Sequence, residues 1–173
     1  MLSILHSLDV FILESINLSY HNIILDNLAL QMSNMGTIYF WIIVIALLYL
    51  FGKEKGKTVA KRMFVVLVIS TIITQLIKFI VIRPRPYTEL NSLILLSTGV
   101  DPSFPSGHTS TSTAMAYVLS KEYKKWILFI IPVIIALTRL YLGVHYPSDV
   151  IGGFLLGIIV SYMVENYLFL KNN

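Results

Sequence analysis

Residues 59–82 read VAKRMFVVLVISTIITQLIKFIVI and are followed directly by Arg-Pro-Arg-Pro at positions 83–86. The run is long and apolar enough for a helix that crosses a hydrocarbon layer about 30 Å thick. Its polar interruptions near the carboxyl end are Gln75 and Lys78. Each proline of the following segment disfavours helix in the residue before it, so the helix should end there. The stretch predicts a membrane helix with a charged end.

The composition of the whole chain agrees with a membrane location. Hydrophobic residues make up 56% and charged residues 13% of its 173 residues, whereas soluble domains carry about 25% charged residues. The absence of cysteine excludes disulfides and thiol chemistry, and Met1–Leu8 lacks the basic segment of a signal peptide. We expect one domain, residues 1–173, folded as an all-α, multi-pass helical bundle in the cell membrane.

Further apolar runs predict the other membrane helices of this bundle. With residues 59–82 they make five transmembrane helices, the others being Met35–Phe51, about Ser106–Leu119, Trp126–Leu142 and Asp149–Leu170. We expect Pro132 to kink the helix that contains it. Gly153 and Gly157 are four residues apart, a spacing that lets two helices approach closely.

The N-terminal region, residues 1–34, differs from the helical core expected at residues 35–170, in which the candidate functional residues discussed below lie. Within Leu2–Tyr20, apolar residues recur at helical spacing, but Asp9 and Glu14 interrupt them. A membrane-spanning helix would place both carboxylates in hydrocarbon at a cost of about 3 kcal/mol each. The pattern therefore favours an amphipathic helix in the membrane interface, and Asn22–Asn34 continues as a second amphipathic stretch.

The cations predict the topology. If the five helices alternate in direction, nine of the 13 Lys and Arg lie on one side, and the positive-inside rule makes that side cytoplasmic. The N-terminus is then outside and the C-terminus inside. The nine are Lys53, Lys55, Lys57, Lys61, Arg62, Lys121, Lys124, Lys125 and Lys171.

The remaining four cations fall at the extracytoplasmic ends of helices, against the preference of that rule. Two histidines and an aspartate join them, so the predicted group is Lys78, Arg83, Arg85, His108, Arg139, His145 and Asp149. Clustered cations repel one another unless an anion lies among them, and arginine matches tetrahedral oxyanions with two parallel hydrogen bonds. The group predicts a phosphate site.

The sequence Phe-Pro-Ser-Gly-His-Thr-Ser at positions 104–110 supports this prediction. We expect Ser106 to cap a helix here and Gly107 to let a ligand approach the backbone closely. The free amides of a helix N-terminus favour anions. His108 would lie at the edge of the anion site, where it could give or take a proton.

The two histidines supply what phosphoryl transfer requires, one nucleophile and one acid. His145 and Asp149 are four residues apart, so a turn can bring the carboxylate to the ring and orient it. Two simpler interpretations remain: Asp149 could only compensate a helix dipole, and Arg139 could only reach toward the interface. We expect no metal ion, because the cation cluster would repel one.

Three segments match, in order and spacing, the motifs of a known family. The first motif is Lys78, followed after six residues by Arg85-Pro86. The second is Pro105–His108. The third is Arg139, followed after five residues by His145 and after three more by Asp149. The chain thereby resembles the type 2 phosphatidic acid phosphatase superfamily, membrane lipid phosphatases related to vanadium haloperoxidases. The resemblance covers about Asp26 to Gly157 and departs from the family pattern at Thr138, where the family has serine.

The resemblance implies a role for each matched residue. His145 would become phosphohistidine, His108 would protonate the leaving oxygen and Asp149 would orient His145. The residues expected to hold the phosphate are Lys78, Arg85, Ser106, Gly107 and Arg139. Arg83 lies outside the fixed motif positions, and no cofactor is implied.

The predicted reaction is metal-independent removal of a terminal phosphate from a lipid at the extracytoplasmic face. Undecaprenyl diphosphate is the substrate we expect first; phosphatidylglycerol phosphate, phosphatidic acid and diacylglycerol pyrophosphate are the alternatives in the same class. A non-catalytic binder of anionic lipids or a small transporter is the alternative from another class, and a haloperoxidase-like oxidase is a more distant one. The expected partners are the membrane and its lipid phosphate, without nucleic acid; the sequence specifies no oligomeric state.

Overall fold

The computed structural model describes residues 2–170, which form helices and connecting segments without a β-strand. The all-α prediction is confirmed. Within this range the α-helices are α1 (Leu2–Asn17), α2 (Ile23–Asn34), α3 (Ile38–Phe51), α4 (Lys53–Val81), α5 (Gly107–Tyr123), α6 (Ile130–Tyr141) and α7 (Pro147–Val164).

The longest helix, α4, has 29 residues and is about 43 Å long at 1.5 Å per residue. It begins before residue 59, the predicted start, because the charged residues after Gly52 enter the helix. Lysine and glutamate are good helix formers, and Lys57 Nζ pairs with Glu54 Oε1 at 2.9 Å. The helix ends at Val81 as predicted, before Ile82 takes a left-handed conformation (φ 47°).

Helix α5 lies at the centre of the bundle, packed against α4, α6 and α7. The contact with α7 is close, as the glycine spacing predicted. A Cβ on Gly153 would lie 2.5 Å from the carbonyl oxygen of Ser106, and one on Gly157 would lie 2.6 Å from that of Ser110. Neither position has room for a side chain, so both glycines bring α7 onto the start of α5.

Within residues 2–170, two helical segments, Lys53–Thr88 and Pro147–Phe169, are long and apolar enough to cross a membrane, and the pair α2 and α3, bent by 59°, would make a third. This number is below the five predicted. Helix α5 is rich in serine and threonine, which lowers its hydropathy, but most of these side chains are buried against neighbouring helices. The residues from Trp126 to Tyr141 form a shorter apolar helix. The five-helix topology stays a prediction.

The kink predicted at Pro132 is wrong. Residues Trp126–Phe129 form a 3₁₀ turn, and α6 begins only at Ile130. Pro132 therefore lies in the first turn of α6, where a residue without an N–H breaks no hydrogen bond of the helix. At the other end of the chain α7 stops at Val164 and continues as a π-helix over Glu165–Leu170.

Helix α1 packs against α6 and α7. Its buried side comprises Asp9, Leu13 and Asn17, and Asn17 donates to the carbonyl oxygens of Ile94 (2.9 Å) and Tyr141 (2.7 Å). The apolar residues of the predicted amphipathic face point away from the bundle, among them Leu5, Leu8, Phe11 and Ile12. The helix thus docks through Leu13 together with the polar residues Asp9 and Asn17, and it leaves most of its other large apolar side chains exposed for lipid.

Charged residues gather at the two ends of the bundle. At one end Arg62 pairs with Glu165 and Glu122, and Lys121 lies 3.5 Å from Glu165. At the other end lies Lys78, sixteen residues further along α4 and hence about 24 Å away. The two cation groups inferred from the sequence therefore lie at different positions along α4. Lys171, which was assigned to the first group, lies outside the described residues.

Candidate active site

His145 lies in the short connection between α6 and α7, and Asp149 is the third residue of α7. Asp149 Oδ2 accepts a hydrogen bond from the backbone N–H of Tyr146 (2.9 Å) and lies 3.4 Å from His145 Nδ1. The carboxylate is fully buried. The same group thus caps the helix and faces the imidazole, which is the geometry that each interpretation of Asp149 requires; its catalytic role stays a prediction.

Ser103 completes this pair and was not predicted. Its hydroxyl donates to Asp149 Oδ2 (2.5 Å) and lies 3.3 Å from His145 Nδ1. Ser103 is fully buried. Asp149 and Ser103 both lie within hydrogen-bonding distance of His145 Nδ1. Nε2 is therefore the ring nitrogen available for chemistry.

The protonation state of His145 follows from its surroundings. Burial lowers the pKa of the imidazole to about 3; Asp149 opposes this shift, whereas the positive charges of Arg139 and Arg85 add to it. The ring is therefore neutral near pH 7. A neutral imidazole is the form that can attack an electrophile.

Lys78 and Arg85 share one carboxylate, that of Asp101. Lys78 Nζ lies 3.1 Å from Asp101 Oδ2, and Arg85 donates to Oδ1 at 2.6 Å. Burial alone would raise the pKa of Asp101, but the two cations outweigh it and hold that pKa below its usual value. An anion of the chain itself therefore lies between these two cations and offsets part of their repulsion.

Arg139 is the exception among the four cations at this end. It donates through Nη1 to Ser33 Oγ at 2.5 Å, while its Nε is buried without a hydrogen-bond partner. No carboxylate of the described residues lies within 4.0 Å of it. A buried guanidinium with a free donor suits an anion, since an unmatched buried donor costs about 1–3 kcal/mol. The neighbouring Thr138 hydroxyl bonds the carbonyl oxygen of Ile135 (2.7 Å).

The start of α5 differs in detail from the prediction. The side chain of Ser106 makes no capping bond; its oxygen accepts from the hydroxyl of Thr109 (3.1 Å), and its N–H donates to the carbonyl oxygen of Asp149 (2.9 Å). Gly107 behaves as expected. A Cβ there would meet only Thr74, at 4.0 Å, so the space beside it is open to a ligand.

His108 and Gly107 line a cavity of about 330 Å³ bordered by α4, α5 and the segment that begins α3. Asp101 also borders it, and Thr71, Thr74 and Gln75 supply uncharged polar groups. His108 is close enough to Arg139, His145 and Arg85 for direct electrostatic interaction. The cavity therefore places the predicted acid beside Gly107 and beside Asp101, the carboxylate that pairs with Lys78 and Arg85.

Arg83 faces the rear of the site. Its guanidinium donates to Asp149 Oδ1 (2.7 Å) and to Asp9 Oδ2 (2.8 Å), and it lies over the ring of Tyr146, 4.1 Å from the ring centroid. Arg83 thus supports Asp149 from the side opposite His145.

The structure brings the predicted residues together from four helices and two connecting segments. Sequence reasoning missed four further participants: Asp9, Ser33, Asp101 and Ser103. Asp101 and Ser103 lie within the three residues before the Phe-Pro-Ser-Gly-His stretch. Their position beside this motif could have indicated that they belong to the site. Asp9 and Ser33 lie in the N-terminal helices and had no such signal.

The donor chemistry of the site gives little support to a metal ion. Among residues 2–170, no three His, Asp or Glu side chains are grouped so that they could hold one. Arg139 and Arg85 act electrostatically on both histidines. Asp149, the carboxylate beside His145, is already engaged by Arg83. Asp101 is likewise engaged by Lys78 and Arg85.

Comparison with known proteins agrees with the geometry. Residues 60–172 match the family model of the PAP2 superfamily. The chain is 34% identical to an undecaprenyl-diphosphatase of Sulfolobus acidocaldarius over 80% of its own length and 68% of that protein.

Two solved structures share the fold. The crystal structure of Aquifex aeolicus LpxE superposes with a TM-score of 0.80 at 32% identity, over 92% of this chain and 96% of LpxE. A PAP2-type phosphatidylglycerolphosphate phosphatase from Bacillus subtilis gives 0.75 at 25% identity, over 94% and 85%. The chain therefore belongs to the PAP2 superfamily of membrane phosphatases, and it is a lipid phosphatase.

Proposed function

We propose that the protein removes the terminal phosphate of undecaprenyl diphosphate at the extracytoplasmic face of the membrane, through a phosphohistidine at His145 and without a metal ion. The observation that carries the proposal is the environment of His145. Asp149 and Ser103 surround its Nδ1, its ring is neutral, and Arg139 stands near it with an unpartnered buried Nε.

The chemical steps follow from this arrangement. Nε2 of His145 attacks the terminal phosphorus and the bond to the bridging oxygen breaks. His108, which the negative charge of the bound diphosphate keeps protonated, gives its proton to that oxygen. Undecaprenyl phosphate then leaves. A water molecule attacks the phosphorus, His108 takes its proton, and the bond to His145 breaks to release inorganic phosphate. Arg139, Arg85 and Lys78 stabilise the charge on the transferred group.

The cavity beside His108 suits the lipid side of this reaction. Its uncharged polar groups on α4, from Thr71, Thr74 and Gln75, are hydrogen-bonding partners for a second phosphate that leaves with the lipid. The prenyl tail would remain in the bilayer while the head group enters between the helices. The undecaprenyl-diphosphatase relative also supports this substrate.

Phosphate release from a panel of lipids tests the proposal. Purified protein should release phosphate in EDTA, because the site's own cations neutralise the phosphate. Under these conditions it should hydrolyse undecaprenyl diphosphate faster than phosphatidylglycerol phosphate, phosphatidic acid or diacylglycerol pyrophosphate. Added magnesium should change the rate less than about twofold. Activity that EDTA removes and zinc, manganese or magnesium restores would contradict the metal-independent mechanism.

The panel also separates the alternatives. Preference for phosphatidylglycerol phosphate would agree with the activity for which the Bacillus subtilis relative is named and would replace the substrate while keeping the mechanism. Binding of all these lipids without any phosphate release would favour the non-catalytic binder.

The predicted sidedness has its own test. Reporter fusions at Lys55, Glu122 and Asn173 should all behave as cytoplasmic, because the first two belong to the cation-rich end that lies away from the site. Fusion in the segment of residues 90–98, near the site, should behave as extracytoplasmic. An extracytoplasmic signal at Lys55 or Glu122 would reverse the orientation of the active site.

A further inference from the structure

Helix α1 places a carboxylate against the rear of the active site. Asp9 is only 7% exposed. Its Oδ1 accepts from the backbone N–H of Ser148 (2.8 Å), and its Oδ2 accepts from the Ser148 hydroxyl (2.5 Å) and from Arg83 (2.8 Å). Every one of these hydrogen bonds reaches either the first turn of α7 or the arginine beside it.

The guanidinium of Arg83 is shared between two carboxylates. One nitrogen, Nη2, binds Asp9, and the other, Nη1, binds Asp149 Oδ1 (2.7 Å) and the Ser148 hydroxyl (2.6 Å). The ring of Tyr146 lies beneath the guanidinium. A continuous chain of hydrogen bonds therefore links Asp9 on α1, through Arg83, to Asp149, the carboxylate that faces His145.

Docking of α1 alone does not require this connection. Leu13 is fully buried in an apolar cluster with Leu140, Tyr146 and Val150, which already holds the helix on the bundle. Burying a carboxylate is costly unless it is paired and hydrogen-bonded. Asp9 is buried where it pairs with Arg83, which also binds Asp149. This arrangement points to a role of Asp9 beyond the attachment of α1.

From these contacts we propose that Asp9 is a positioning residue for the reaction: by sharing Arg83 and holding Ser148, it keeps the carboxylate of Asp149 directed at His145. The inference rests on the proposed function, because it assumes that His145 attacks the phosphate. As the neutral ring attacks, it gains positive charge, which Asp149 stabilises. Without Asp9 the whole charge of Arg83 acts on Asp149, so less of the carboxylate's charge is available to the ring.

Asp9→Asn tests the proposal, with Glu14→Gln as its matched control. Glu14 is a carboxylate on the same helix, but it accepts from Ser92 at the surface and does not contact the site. With the lipid that the parent hydrolyses fastest, Asp9→Asn should lower kcat about tenfold. KM should stay within about twofold, because Arg139, Arg85 and Lys78 still bind the phosphate. Glu14→Gln should match the parent.

The pH profile of kcat separates positioning from simple loss of folded protein. The groups that face His145 are Asp149 on α7, Ser103 before α5, His108 on α5, Arg139 on α6 and Arg85 after α4. Asp9→Asn weakens the influence of Asp149, so His145 should become protonated only at lower pH. The acid limb of kcat should therefore move down by about half a pH unit. A purely structural role would scale the profile without moving it.

An Asp9→Asn variant with parental kcat, or with reduced kcat and an unmoved profile, overturns the inference. If the variant does not fold, Ser148→Ala replaces it, since it removes only the hydroxyl between Asp9 and Arg83. In that variant kcat should fall about threefold, and parental kcat overturns the inference. Absence of phosphate release by the parent would instead contradict the proposed function itself.

Discussion

His145→Ala should lower kcat at least about ten-thousandfold, the scale seen when a covalent hydrolase loses its nucleophile. The substitution removes Nε2, the ring nitrogen that Asp149 and Ser103 leave available. His108 cannot replace it in the proposed mechanism, where that imidazole acts as the acid and base. The measurement is phosphate release from the best lipid substrate by purified protein.

Phosphate binding should survive this substitution. Arg139, Arg85 and Lys78 remain, so inorganic phosphate should still raise the melting temperature of His145→Ala. Arg139→Ala should show the opposite pattern, with weaker protection by phosphate, because it removes the guanidinium whose Nε has no internal partner.

His21→Ala is the matched control for His145→Ala. His21 also faces an aspartate, with Nδ1 2.8 Å from Asp26 Oδ1, but it packs on Tyr141 outside the site. Its loss should lower stability and leave kcat within about twofold of the parent. Turnover by His145→Ala close to that of His21→Ala would show that His145 is not the nucleophile.

Asp149→Asn should lower kcat at least about a hundredfold, on the scale of a general acid–base contribution. The neutral amide no longer stabilises the charge that develops on His145. It also fits the pocket poorly, because the neighbours of the carboxylate include three donors: the N–H of Tyr146, the hydroxyl of Ser103 and the guanidinium of Arg83. An amide N–H₂ turned toward such donors leaves a buried group unmatched, at a cost of about 1–3 kcal/mol.

Because Asp149→Asn also affects stability, a control that loses stability alone is needed. Glu165 provides it: this carboxylate is likewise fully buried and paired with an arginine, Arg62, but at the opposite end of the bundle. Glu165→Gln should lower the melting temperature and leave kcat near the parental value. If both variants lose stability and turnover in equal proportion, Asp149 has only a structural role.

Much of the site followed from local sequence. The spacing of Lys78 and Arg85 around a helix end, the Pro-Ser-Gly-His stretch and the four-residue separation of His145 from Asp149 are local patterns. Their geometry depends on a helix turn or a helix terminus, and these features form in the same way in any fold. The same holds for the end of α4 before the prolines and for the close contact made by Gly153 and Gly157.

Charge pairing did not follow from sequence. From the sequence, no carboxylate partner was named for the lysine and arginines at this end, yet Asp101 pairs with Lys78 and Arg85, and Asp9 and Asp149 pair with Arg83. Asp9 is 74 residues from Arg83, and no periodicity relates two positions so far apart. Such a pair forms only because α1 docks beside the first turn of α7.

By itself, then, the sequence determined an all-helical membrane protein with a cationic, histidine-bearing end, since hydropathy, helix termini and motif spacing are properties of neighbouring residues. Only the tertiary structure decided which side chains complete that end. Ser103 beside His145, Ser33 on Arg139 and Asp9 behind Arg83 come from separate segments. Their positions depend on how the helices pack, because a hydrogen bond of under about 3.5 Å requires a three-dimensional arrangement that spacing along the chain does not specify.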